Sequence, residues 1–159
     1  MGANKKLITF DRDRVRSNLL PYTRKAFGLL PKLSKPRILD IGCGTGVSTL
    51  ELARISDGDL VAVDIEQDAL DKLVKRAKEE GLSSRVTVVH SSMLEMDFPP
   101  NSFDIIWTEG AISYIGFGRG LSEWRSLLAP EGYLVVHDEV SDLQKKIELI
   151  RTCGYTILG

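Results

Sequence analysis

With 159 residues, 43% of them hydrophobic, the chain has the size of one ordinary domain and enough apolar material for a core of normal volume. Its longest apolar runs are a handful of residues against the roughly 20 of a membrane helix, and MGANKKLITF lacks an apolar signal core, so no membrane span and a soluble, cytoplasmic protein are expected. The formal net charge of -1 hides an asymmetry: residues 1–37 hold ten Lys or Arg and two Asp, a balance of +8, which leaves -9 on the remainder.

That basic segment reads in two ways, as a face that steers an anionic substrate or polyanion, or as a solvated helix lying on an acidic body. Within it Leu19, Tyr22, Ala26, Leu29 and Leu30 line one side of a predicted helix, with Pro21 in the first turn, where a missing N–H is tolerated. A first strand follows, RILDI at 37–41, and then GCGTG, which sets glycine at 42, 44 and 46. Further short apolar runs bounded by Gly, Asp, Ser or Pro are LVAVDI (60–65), RVTVVH (85–90), FDIIWT (103–108), YLVVHDE (133–139) and YTILG (155–159), each suited to a buried parallel strand. Between them, QDALDKLVKRAKEEG keeps helical spacing at Leu70, Leu73, Val74 and Ala77 and stops at Gly81. SDLQKKIELIRTCG opens on a capping box, Ser141 with Gln144, and stops at Gly154. Alternation of this kind predicts an α/β fold, a doubly wound parallel sheet with helices on both faces. One domain over 1–159 is expected, with a helical lid at 1–35 and a core at 36–159. Cys43 and Cys153 lack CxxC spacing and histidine company, so neither a disulfide framework nor a metal site is expected.

The glycines fall on a strand-to-helix turn, where backbone N–H groups and a helix N-terminus can face a ligand that any Cβ would hold away. A dinucleotide fingerprint is GxGxxG; here the spacing is GxGxG, and Val47 stands where the last glycine would fall. Asp40, two residues before the turn, would repel a pyrophosphate and attract an ammonium or sulfonium. Asp64 ends the second strand eighteen positions after Gly46, where an acid can accept both hydroxyls of a ribose. A nucleoside with a positive centre and a zwitterionic tail describes S-adenosylmethionine.

At ILDIGCGTG followed by VAVDIEQDALDKL the sequence resembles the class I S-adenosylmethionine-dependent methyltransferases, from about residue 10 to the end. SSMLEMDFPPNSFDIIWTEGAISYIG and EWRSLLAPEGYLVVHDE continue the likeness. The resemblance implies a Rossmann-like sheet of order 3-2-1-4-5, then 6, with the family's seventh, antiparallel strand missing. It implies that Asp40, Gly42, Cys43, Gly44 and Gly46 hold the methionine part and Asp64 the ribose. Ile65 would pack on adenine, with Ser92 and Met93 at its edge, and Thr108 and Glu109 would border the methionine group. Ser92 stands where many members carry an acid, and a serine accepts a hydrogen bond more weakly than a carboxylate. A sheet lacking its seventh strand would expose unpaired backbone, so either the sixth strand shifts inward to pair with the fifth or a second copy covers the edge, as a homodimer through the C-terminal edge.

Methyl transfer from a sulfonium is an in-line displacement in which the protein orients the acceptor and, where needed, removes its proton. Glu109, Tyr114 and His137 are the candidate catalytic groups. Each also has a plainer reading: a partner that shapes the methionine pocket, packing, and a strand-end histidine bonded to backbone. His90, Trp107 and Trp124 read as structural. An NPPY-type motif is absent, TEGA standing in its place, and no appended nucleic-acid-binding domain fits, so a small-molecule acceptor is expected and nucleic acid is not. Three other readings are a nicotinamide oxidoreductase, disfavoured by GxGxG and Asp40, a non-catalytic cofactor-binding module, and a nucleic-acid methyltransferase led by the +8 segment. If the basic helix is a lid over the acceptor, replacing Arg12, Arg14 and Arg16 together should weaken acceptor binding and spare the cofactor.

Overall fold

Residues 11–158 are described by the structure, a computed structural model. Its sheet holds β1 (Arg37–Ile41), β2 (Asp59–Asp64), β3 (Val86–His90), β4 (Phe103–Glu109) and β5 (Leu128–His137), in the order β3-β2-β1-β4-β5. All four pairings are parallel. From β1 the chain works outward to β3 and then crosses back to lay β4 on the other side of β1. Strand order therefore reverses between β1 and β4, which opens a crevice at their carboxyl ends. The helices among the described residues are α1 (Arg12–Ser17), α2 (Leu20–Leu29), α3 (Val47–Ile55), α4 (Gln67–Glu79), α5 (Phe117–Trp124) and α6 (Leu143–Thr152).

Strand alternation sorts the core into two layers. Leu39, Ile41, Val61, Val63 and Ile106 face one side, where Ile112, Trp124 and Leu127 cover them. Ile38, Leu60, Ile105 and Trp107 face the other, against Leu52 and Ala53 of α3, with Ala26 and Phe27 of α2 and Leu30 beyond them. Leu70, Leu73 and Ala77 of α4 continue that second layer onto Ala62. Both predicted core tryptophans are buried.

Four expectations change. Tyr155–Leu158, read as most of a sixth strand, carry no strand, and Gly159 lies outside the described residues. The Tyr155 hydroxyl donates to the Leu121 carbonyl at 3.0 Å, and Arg125 donates to the carbonyls of Cys153 and Gly154 at 2.6 and 2.7 Å. These bonds turn the segment against α5, away from the β5 ladder. The capping box is not formed: α6 starts at Leu143 after a left-handed Asp142 that makes no side-chain cap. Lys146 instead fixes the entry to the helix, donating to the Asp138 carboxylate at 2.7 Å and to the Glu139 carbonyl. The single helix expected before β1 is two, and its inward stripe is Thr23, Ala26, Phe27 and Leu30, with Tyr22 and Leu29 exposed. Val74 of α4 is likewise exposed. Residues 1–10 of the expected lid lie outside the described residues.

Candidate cofactor site

β1 ends at Ile41 and α3 starts at Val47, and the turn between them passes through Gly42, Gly44 and Gly46 at φ +73°, +54° and +82°. These are left-handed dihedrals that glycine adopts without strain. The N–H groups of Gly42 and Cys43 donate to the Val63 carbonyl at 2.8 and 3.1 Å, which tethers the turn to the end of β2. Gly44 N–H donates to one oxygen of the Asp64 carboxylate at 2.7 Å, and Glu66 N–H reaches the other at 2.9 Å. The protein's own packing also requires the glycines. A Cβ on Gly42 would collide with the Ala111 methyl just past β4, and one on Gly46 would collide with Leu73 of α4.

Asp40 lies beneath this turn, 1% exposed. Its carboxylate accepts from the Thr49 and Ser48 hydroxyls of α3 at 2.6 and 3.2 Å, so it locks β1 to the start of α3. Burial pushes its carboxyl up to about 7, opposed by the Thr49 bond and reinforced by the charge of Glu109. The Cys43 thiol is also pushed up, first by burial and then by the charges of Asp40 and Asp64, which makes it unreactive.

Across the crevice, Glu109 ends β4 with one carboxylate oxygen accepting two bonds, from the Thr23 hydroxyl of α2 and from the Trp107 indole N–H, each at 2.8 Å. The neighbouring Thr108 hydroxyl is buried and has no partner among the described residues. His137 pairs with Glu109 in the β4–β5 register, its carbonyl accepts from Gly110 N–H at 2.8 Å, and its ring stands 6.3 Å from that of Tyr22. Tyr114 is 84% exposed on the short turn Ile112–Tyr114. At the end of β2, Ile65 is 64% exposed, and its carbonyl lies 2.9 Å from Nε2 of His90. The Met93 side chain approaches Gly42, and the Ser92 hydroxyl accepts from Leu94 N–H at 3.2 Å.

The two N-terminal helices close over the turn. Asp11 caps α1, its carboxylate accepting from Arg14 N–H at 3.1 Å. Two residues on, Asp13 accepts from the Thr45 hydroxyl and from Arg76 of α4, each at 2.5 Å. Burial works against that carboxylate, yet the Thr45 and Arg76 bonds hold it below its ordinary range. Asp13, Thr23, Thr45 and Arg76 carry no motif that marks them in the sequence. The available signal was that Asp11 and Asp13 are the only two acids in an otherwise basic segment.

Residues 38–132, more than half of the chain, match the family described as Methyltransferase domain. The chain belongs to the class I S-adenosylmethionine-dependent methyltransferase family. This methyltransferase-family chain is 29% identical over 143 residues to the 27-O-demethylrifamycin SV methyltransferase of Amycolatopsis mediterranei, across 86% of itself and 53% of that protein. It is 28% identical over 131 residues to the sterol 24-C-methyltransferase ERG6B of Gibberella zeae, across 82% of itself and 33% of that protein. Among solved structures it is similar to the [4+2]-cyclase SpnF, with a TM-score of 0.76 and 24% identity over 85% of this chain and 57% of that one. The chain thus spans about a third to a half of the length of the curated relatives it matches. SpnF is named for a cyclisation, so its likeness shows the fold alone. The methyltransferase-family sheet carries a hollow of 1180 Å³ away from the glycine turn, along β5 and α6, lined by Tyr133, Val135, Leu143, Ile147 and Ile150. No described helix is long and apolar enough to cross a membrane, and no described group of His, Cys, Asp or Glu is arranged to hold a metal ion.

Proposed function

We propose that the chain binds S-adenosylmethionine at the glycine turn and transfers its methyl group to a small-molecule acceptor. The observation that carries this reading is the Asp64 carboxylate, held by two backbone N–H groups beside three left-handed glycines at the point where strand order reverses. Each of its oxygens retains a lone pair for a ribose hydroxyl. Exposed Ile65 offers an apolar surface to adenine, with Ser92 and Met93 at its edge. Gly42, Cys43, Gly44 and Gly46 present backbone to the methionine part, bordered by Asp40, Thr108 and Glu109; the unpartnered Thr108 hydroxyl supports a polar ligand there.

The sulfonium, when bound, supplies the activated methyl group. What remains for the chain is to orient the acceptor in line and take its proton. Glu109, Tyr114 and His137 are the proposed groups. Thr23 and Trp107 fix the Glu109 carboxylate through one oxygen, which leaves the other for an acceptor hydroxyl or amine. Tyr114 stands at the rim where an acceptor arrives. Residues 11–30 act as a lid, held down by the Asp13 and Thr23 contacts. The named rifamycin and sterol activities of two relatives support a small organic acceptor. Among the described residues no strand pairs with the outer edge of β5, which supports self-association of two copies.

The test is release of S-adenosylhomocysteine from S-adenosylmethionine across a panel of small phenols, amines, carboxylates and sterols. Release above the acceptor-free rate with one class is expected. Tight S-adenosylhomocysteine binding without turnover on any class would favour the second reading, a cofactor-binding module without transfer, which the double capping of one Glu109 oxygen supports.

A further inference from the structure

The inner side of α1 brings a cation to the glycine turn. Asp13 and Arg16, one helical turn apart, are the partly buried charged residues of that helix, whereas Arg12 and Arg14 are exposed. With Asp13 anchored on Thr45 and Arg76, the Arg16 guanidinium lies against Gly44. A Cβ on Gly44 would collide with Nη1 and stand 3.2 Å from Cζ and 3.4 Å from Nη2. Glycine at this position therefore admits the guanidinium as well as a left-handed backbone.

The surroundings are acidic. Asp64 accepts from Gly44 N–H itself, and Asp40 lies directly beneath, close enough for the charge of Arg16 to offset part of its rise. Glu109 closes the far side. An amino-acid tail bound here would gain from these acids at its ammonium and be repelled at its carboxylate. A planar guanidinium is the side chain best matched to a carboxylate, which it can bind through two parallel N–H bonds. Among the described residues the other arginines nearby are already engaged, Arg76 with Asp13 and Arg12 3.9 Å from Glu66.

We propose that Arg16 binds the carboxylate of the cofactor's amino-acid tail, making α1 part of the cofactor site. The inference rests on the reading of the glycine turn as an adenosyl site. It reverses the expectation for the basic segment at this residue, since a change at Arg16 acts on the cofactor before the acceptor.

Titration calorimetry on the full chain separates the possibilities with two ligands. S-adenosylhomocysteine carries both ammonium and carboxylate, and S-adenosyl-3-thiopropylamine carries the ammonium alone. Arg16→Gln should weaken S-adenosylhomocysteine by about tenfold or more and change the thiopropylamine by less than about twofold, with Arg16→Lys between and exposed Arg14→Gln like the parent. Equal losses for both ligands would overturn the assignment by making Arg16 a structural support. Tighter S-adenosylhomocysteine binding in Arg16→Gln would overturn it too, since the guanidinium would then be competing for the site. If the parent chain binds neither ligand, the adenosyl reading itself fails and the inference falls with it.

Discussion

Asp40 combines the deepest burial of any acid beside the turn with a proton affinity far from ordinary. Its carboxyl titrates at about 7 in the fold against 3.8 as a free side chain, so the folded state holds a proton that the unfolded chain releases. Stability from this group is complete below pH 4 and is lost as pH rises through about 7. Asp13 and Glu51, both held below their ordinary range, act with the opposite sign at acid pH. The difference between the parent and Asp40→Asn isolates Asp40. Urea midpoints at pH 5 and pH 8 should show the parent losing stability relative to the variant as pH rises, because Asn still accepts from Ser48 and Thr49 and carries no charge to bury. Parallel midpoints at the two pH values would contradict this account of Asp40.

Among the elements, α2 shows how a polar residue hides a packing face. Thr23 is 2% exposed and joins α2 to the end of β4 through Glu109. Thr23→Val keeps the shape and removes the bond, so the urea midpoint should fall by the equivalent of about 1 kcal/mol with an unchanged slope. An unchanged midpoint would show that α2 is held by its apolar stripe alone. The sequence disguised that stripe because Thr23 interrupts it, and Tyr22 and Leu29 offered an apolar alternative one position away. The five strands were legible for the converse reason: β1, β2 and β4 are buried on both faces and β3 and β5 partly so, each appears as a short run rich in apolar residues, and the glycine turn follows the first with the spacing its left-handed dihedrals need. YTILG has strand composition, but the Arg125 bonds to Cys153 and Gly154 that turn it aside join residues far apart in sequence. The same holds for Asp13 with Thr45 and Arg76, and for Arg16 over Gly44.

Across the whole molecule, helices pack on both faces of the sheet, and among the described residues no strand pairs with the outer edge of β5. If two copies pair there, light scattering should give a mass near twice that of one chain at high concentration, and a proline at an outward N–H of β5 should return it to one. A monomer at all concentrations would remove self-association from the account. At the carboxyl ends of β1 and β4, the proposed adenosyl site joins the glycine turn, Asp64 and the crevice. Binding of S-adenosylhomocysteine and of NADH, measured on the parent chain and on Asp64→Ala, probes that site. The parent should bind S-adenosylhomocysteine and not NADH, and Asp64→Ala should weaken that binding by at least about tenfold through loss of charged acceptors for the ribose. Binding of NADH alone, or S-adenosylhomocysteine binding untouched by Asp64→Ala, would contradict this reading of the site.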